Sequence, residues 1–528
     1  MMSADPAASP PAPKAPRLLR AASLGCLIAA LAVVLVTTLC GPLKDDIAWL
    51  LYVADQWLQG RHLYVDLVEV NPPLIVWLCA VPVYCAHLLH IAPKLVAMPA
   101  FCGIVLLCAW ITAGRLRSQG GAFADRPTVF AVIGCVLLLI PGAEFGQREH
   151  LLAAMALPYL ALVSAELCGR PTPALRAALI GILAAIGCAL KPRYVLAFGL
   201  VELFAVAQGL RLLRPVNVAA AATLGLYLLA VLAFTPTFFS EAVPMAFALY
   251  GATDVPFLGM LVECRVLLLG LLAAVCLWAS HPDRPDATRR LGAGLVFAAG
   301  AALVCVIQGK NWFYHQLPGT LSTVLCLLGL IRLRIGPGWR WDARRLAPAA
   351  LALVALLAFG LRAYDRLHPQ IGLAWQGEDA TQARLAALIR REKARSYVAF
   401  SEWIGLGFPV VNNTGVVWAS RFDSMWPLHG MRGGHPPPGT ELGTWHVADW
   451  VVSDFLRICP DLVAVDWRES ADYVAYLSEN ESAFRRAWTL YRPIAAFNHL
   501  VVFRNSADAA HRAAAGCGTA VEARASGP

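Results

Sequence analysis

Two adjacent carboxylates, Asp45 and Asp46, stand where a long apolar run gives way to the first extended polar stretch, Lys44 to Pro73. An ionised carboxylate within hydrogen-bond reach of a hydroxyl can take its proton, so an acid pair at a membrane edge suits general-base work on a lipid-borne substrate. The alternative is that Asp45 caps the helix that follows, whose positive end favours negative charge. The two roles can coexist. A second polar cluster, Glu144, Arg148, Glu149 and His150, separates two later apolar runs. Carboxylate and imidazole are competent ligands, which makes Glu149 and His150 the candidates for a divalent metal. Pairing of Glu149 with Arg148 or with another loop is the competing role. A third set is cationic: Lys191 and Arg193, then Lys310 and His315. Arginine grips phosphate through two hydrogen bonds and lysine as a point charge, so this set suits a lipid-linked phosphate. Snorkelling to headgroups, with Trp312 and Tyr314 as an aromatic belt, is the alternative. His429, His435 and His446 fit no zinc-ligand spacing.

The elements that carry these residues are read from composition and periodicity. The chain is 59% hydrophobic and 15% charged, with a mean hydropathy of +0.61. These are values of a polytopic membrane protein, not of a soluble domain. The net charge of +9 is spread over short loops between spans. That placement is an orientation signal, and without a basic face it excludes a nucleic-acid partner. The fifteen cysteines show no CxxC and lie mostly in apolar runs, as packing residues. Cys459 and Cys517 are the two in the C-terminal region and can pair in an oxidising compartment.

Residues 1–20 read as a disordered cytoplasmic tail and 21–41 as an uncleaved anchor. From Asp45 the pattern predicts an amphipathic helix ending near Gly60. Ile47, Leu50, Leu51, Ala54 and Leu58 make its apolar stripe, and it is expected to lie in the membrane interface. Leu74 to His90 is expected to re-enter without crossing, within an outer loop 42–94. With that choice every later arginine-rich loop falls on one side, and eleven spans result, ending at residue 363. Residues 364–505 turn soluble in pattern. Helix is predicted over 380–393 and from 472 towards Trp488, and strand at 397–400, 415–419 and 462–467. A hairpin is predicted at 494–503, a long loop from Trp426 to Thr444, and a disordered tail over 506–528. The expected fold is thus a polytopic α-helical membrane domain followed by a small α/β domain outside the membrane.

The acid pair at the end of the first span, the segment Gly60 to Asp66 and the run Asn71, Pro72, Pro73 resemble the first extracytoplasmic loop of the GT-C glycosyltransferases. The nearest flavours are the protein O-mannosyltransferases and the bacterial aminoarabinose-type lipid A transferases. The resemblance implies that Asp45 or Asp46 is the catalytic base, supported by Arg61, Tyr64, Asp66 and Asn71. The family usually has Glu where this chain has Asp46. It also implies a second acidic motif at Glu144 to His150, although GlnArgGluHis replaces the usual Asp-based pattern there. Lys191, Arg193, Lys310 and His315 would hold the donor phosphate, with Asp45, Glu149, Lys191 and Lys310 around one outer cavity. The implied activity is inverting transfer of a sugar from a polyprenyl-phosphate donor to a glycan, lipid or protein acceptor at the outer face of the inner membrane. No cofactor follows, and a divalent metal is left open. The alternatives are a glycolipid transporter, for which no matching halves are present, and a non-catalytic envelope assembly protein.

Overall fold

The computed structural model describes residues 17–250, 254–334, 343–376, 381–433, 445–468 and 472–518. The tail 1–16, most of the loop 426–444 with His435, and residues 519–528 lie outside the described residues. Contacts divide the chain into two compact units. The first is Met1–Val36, Pro99–Tyr227 and Val255–Gln370; the second is Thr37–Met98, Leu228–Asp254 and Ile371–Pro528. This division differs from a cut at 363. The loop after the first apolar helix and the segment 228–254 pack with the C-terminal domain.

The helices, in chain order, begin with α1 (Arg17–Cys40), α2 (Asp45–Leu58), α3 (Leu74–Leu89) and α4 (Lys94–Arg117). Next come α5 (Arg126–Leu139), α6 (Arg148–Leu167), α7 (Ala174–Leu190), α8 (Val195–Ala207) and α9 (Pro215–Phe234). Then follow α10 (Val243–Leu249), α11 (Phe257–Glu263), α12 (Arg265–Ala279), α13 (Arg284–Gln308), α14 (Leu317–Arg334) and α15 (Ala343–Gln376). Among the described residues seven helices are long and apolar enough to cross a membrane, or eight if α11 and α12, bent by 70°, are one span. The chain is a polytopic helical membrane protein in build.

In the first unit α6 is the central helix: 89% of its apolar window is buried, against 11% for α9. It packs on α7, α13 and α14. Small residues let these backbones close up, as is usual where lipid offers no hydrophobic contrast. A Cβ at Gly187 of α7 would stand 2.9 Å from Met155 Cβ of α6. The direction of the helices is fixed by ends that meet. Arg20, in the first turn of α1, pairs at 2.5 Å with Asp125, which caps α5 by accepting the Thr128 N–H. Since α4 ends just before that cap, α1 and α4 run antiparallel.

The second unit contains α2, α3 and the C-terminal domain. In that domain α16 (Thr381–Arg391), α17 (Val410–Thr414), α18 (Trp426–Gly433), α19 (Val447–Ile458), α20 (Tyr473–Asn480), α21 (Ser482–Trp488) and α22 (Ala509–Ala514) surround a five-stranded sheet. Its strands are β1 (Ser396–Phe400), β2 (Val417–Trp418), β3 (Leu462–Asp466), β4 (Tyr491–Phe497) and β5 (Leu500–Asn505), in the order β2-β1-β3-β5-β4. The first three are parallel, and β4–β5 closes as an antiparallel hairpin. Asn498 and His499 both have positive φ, as a two-residue hairpin turn with the right twist requires. The helix expected from 472 to 488 breaks at Glu481, whose extended backbone starts α21.

Two expectations are corrected here. Helix α2 does not present a polar face to solvent along its length, because Ile47 to Ala54 are all buried. Trp49 and Tyr52 pack on Phe408 with ring centroids 4.9 and 5.1 Å away, and Asn412 Nδ2 donates to the Ala48 carbonyl at 3.0 Å. Along that stretch its environment is therefore protein, and Trp49 and Tyr52 are used against the C-terminal domain, while Asp55 pairs with His87 of α3. The segment after 506 is likewise not all tail. It forms α22 and ends in a disulfide between Cys459 and Cys517, whose Cα atoms are 5.2 Å apart. That bond closes a separation of 58 residues, which in the chain-entropy picture contributes about 4 kcal/mol. Replacing both cysteines by alanine should lower the thermal midpoint of the C-terminal domain and leave the first unit's transition in place, as read by differential scanning calorimetry.

Candidate functional site

In the second unit the site grows from a strap and a pin. The Val68 N–H donates to the Arg421 carbonyl at 2.8 Å. Arg421 is itself held by buried Asp454, through its backbone N–H and Nε at 2.9 Å each and Nη2 at 3.1 Å. This fixes the loop carrying Asp423 against the loop carrying Glu69. Glu69 is buried and accepts from Trp49 Nε1 at 2.6 Å, from the Asn71 N–H at 2.8 Å and from the Asn71 side-chain amide. Tyr64, at φ 67°, donates its hydroxyl to the Asn71 carbonyl at 2.8 Å.

Asp45 and Asp46 differ in what they face. Lys44 holds the cap position of α2 with no side-chain cap, and Asp45 opens the helix. Asp45 Oδ1 accepts the Asp46 N–H at 2.9 Å and pairs with Lys44 at 3.0 Å. The expectation that Asp45 is the cap residue is corrected: Lys44 takes that position, and Asp45 is the first helical residue, its charge at the positive end of the helix. Asp46 instead shares its surroundings with Glu69 and Asp423. Burial, then the Glu69 and Asp46 charges, push the Asp423 carboxyl up to about 8, although one edge of its side chain stays accessible. Neighbouring acids driven apart in this way can divide acid and base roles at neutral pH.

The remaining first-loop residues build the turn. Asp66 accepts the His62 N–H at 3.0 Å, and Arg61 hydrogen-bonds the Tyr52 hydroxyl, which burial nevertheless pushes up to about 12. Glu69, Asp423 and Trp49 are members of this site that were not picked out from the sequence. Their signal was slight: a lone acid before Asn71-Pro72-Pro73, and an acid between Phe422 and Ser424.

In the first unit three helix ends bring together residues far apart in sequence. Glu149, in the first turn of α6, is fully buried; its Oε1 lies 3.2 Å from Lys191 Nζ, just beyond α7, and 3.1 Å from His315 Nδ1, just before α14. Gln308 Nε2 stands 3.2 Å from His315 Nε2. The His315 ring thus lies between the Gln308 amide and the Glu149 carboxylate. The His315 carbonyl in turn accepts the Tyr194 hydroxyl at 2.6 Å. Glu149 Oε2 has no hydrogen-bond partner among the described residues, so it can accept from a donor on a ligand.

Of the expected phosphate ligands, Lys191 and His315 are therefore engaged with Glu149. Lys310 is buried beside the Trp312 ring, and Arg193 is exposed. Arg148 is buried. Glu144 pairs with Arg366 at 3.6 Å and accepts from Gln147 at 3.4 Å. The pairing of Glu149 with His150 as metal ligands is corrected. His150 Nδ1 accepts the Gly146 N–H at 3.1 Å, and Nε2 donates to the Leu137 carbonyl at 2.9 Å, so both nitrogens are in use. No group of three ligand-type side chains with metal-holding geometry occurs among the described residues. His429 pairs with Glu402 and His446 with Asp449.

Comparison with protein-family models finds no match, and comparison with curated proteins finds none.

Two stability effects follow. Glu149→Gln leaves the Lys191 charge buried without its partner, a loss of about 3–5 kcal/mol for such pairs. The double variant Glu149→Gln, Lys191→Met should recover most of the fall in thermal midpoint measured in detergent. Asp423 has a folded value raised above the ordinary 3.8. The folded chain then holds a proton that the unfolded chain has released, and stability falls as pH rises from about 4 to about 8. Asp423→Asn should flatten that slope in a pH series of melting curves, and an unchanged slope would reject the assignment.

Proposed function

We propose that this chain is an inverting glycosyltransferase of the GT-C kind, moving a sugar from a polyprenyl-phosphate donor to an envelope acceptor. The observation that carries the proposal is the state of the acids at the start of α2. Asp45 is tied to Lys44 and to the helix backbone, while Asp46 faces an Asp423 carboxyl raised to about 8. Asp46 is then the base that receives the acceptor hydroxyl's proton, and Asp423, protonated at neutral pH, keeps a second negative charge from forming beside it. The acceptor oxygen attacks the anomeric carbon as the bond to the donor phosphate breaks, and polyprenyl phosphate leaves.

The membrane part is proposed to cross eleven times, through α1, α4 to α9, the bent α11–α12 pair, α13, α14 and α15. Helices α5, α7 and α8, of 14, 17 and 13 residues, would cross where the bilayer is locally thin or as buried helices. The Cys459–Cys517 disulfide supports a C-terminal domain in an oxidising, extracytoplasmic compartment, with the N-terminus in the cytoplasm.

The test is release of polyprenyl phosphate by purified protein given a polyprenyl-phosphate sugar and envelope acceptors. Asp46→Asn should reduce kcat by about a hundredfold or more with little change in KM, the usual scale for a lost general base. Asp45→Asn should keep most of the activity. Equal loss in both would move the base to Asp45 or to neither.

A further inference from the structure

We infer that Cys264 and Cys305 form a second disulfide, closing the end of the first unit where Glu149 sits. Their sulfurs stand 3.6 Å apart, and both residues are fully buried. Bonded sulfurs lie about 2.05 Å apart, so side-chain rotation has roughly 1.5 Å left to cover. The backbones on either side are already tied. Cys264 is the single residue between α11 and α12, at their bend of 70°. Ahead of it, the Val255 N–H donates at 2.7 Å to the carbonyl of Gly309, which ends α13. Beside it, the Glu263 carbonyl accepts from Gln316 Nε2 at 3.3 Å, and Arg362 of α15 donates to Gln316 Oε1 at 2.8 Å. Cys305 lies three residues before the end of α13, about 4.5 Å below its last residue. Met260, Val255, Leu268 and Val306 complete the apolar cluster around the pair. Two segments pinned at neighbouring points keep the sulfurs within reach of each other. A buried thiol used for packing behaves differently: Cys326 turns its sulfur towards the Leu291 carbonyl, 4.0 Å away.

Chain order supplies the oxidant. Helix α15 passes this end of the unit at Arg362, and the chain runs on from it into the domain closed by Cys459–Cys517. Both cysteine pairs then meet one oxidising compartment, so the closure rests on the extracytoplasmic placement proposed above. In the closure one S–S bond forms and two S–H bonds break. Two protons and two electrons pass to the disulfide of a thiol–disulfide oxidoreductase, which leaves as a dithiol. Buried thiols are inert to such exchange, so the bond is made while α11, α12 and α13 come together. Its effect is positional. It locks the α11–α12 bend to α13, whose last residue, Gln308, stands against the His315 ring that faces Glu149.

The test counts thiols in the full chain, purified without reductant from cells that insert it in a membrane. The protein is denatured in sodium dodecyl sulfate with excess N-ethylmaleimide, and its intact mass is measured. Of the fifteen cysteines, eleven should carry maleimide, against thirteen if Cys459–Cys517 is the one bond present. Cys264→Ser gives the sign. It removes one cysteine and frees Cys305, so the count should rise by one; a count that falls by one would overturn the inference. Thiols are counted after denaturation, so the result stands whether or not the variant folds stably. A non-reducing digest should hold Cys264 and Cys305 in one cross-linked pair of peptides. If both carry maleimide while Cys459 and Cys517 stay joined, this inference alone fails. If all four carry it, the compartment assigned above fails with it.

Discussion

The second unit depends on one ionic grip. Asp454, buried beneath Arg421, accepts three hydrogen bonds from that residue and so fixes a loop that has no regular structure of its own. Buried ion pairs contribute little net stability, since desolvation consumes most of the attraction. Their use is positional. Because Arg421 cannot move, its carbonyl is available to the Val68 N–H, and two loops from distant parts of the sequence are held side by side. That helps bring Glu69 close enough for its charge to act on Asp423. Were the grip absent, two carboxylates with a third nearby would drift apart to be solvated.

The first unit solves the opposite problem. An acid at the head of a buried apolar helix is costly unless it is matched, and Glu149 is matched by Lys191 and His315 from two other helix ends. The three helices are tied at the same level by charge, where the apolar contacts of α6, α7 and α14 alone would allow sliding. Within one chain, then, one carboxylate is matched by cationic partners and another is buried beside further acids. The first arrangement holds helices in place; in the second, burial and then the neighbouring charges raise the Asp423 carboxyl.

What the sequence revealed follows from the range of the physics involved. Strands β1 and β3, helix α16 and the β4–β5 hairpin were legible because their periodicity and turn residues are local. Strand β2 shrank to Val417–Trp418 because it pairs on one side only. Asp45 and Asp46 stood out as charges against an apolar background. Glu69 and Asp423 did not, since each is an ordinary loop acid until a long-range hydrogen bond makes it a neighbour. The covered face of α2 was illegible for the same reason: amphipathic periodicity says that a helix has two sides, not which partner each side meets. His150 misled through adjacency, because successive helical residues point in different directions and its ring is spent on Gly146 and Leu137.

The antiparallel course of α1 and α4 has a developmental meaning for the chain. Since α1 and α4 meet at both ends, through Arg20 with Asp125 and Lys94 with the Gly41 carbonyl, the stretch joining them can lengthen, shorten or change its acids without redirecting any helix made afterwards. A protein built this way can vary that stretch while the course of the remaining helices is inherited intact.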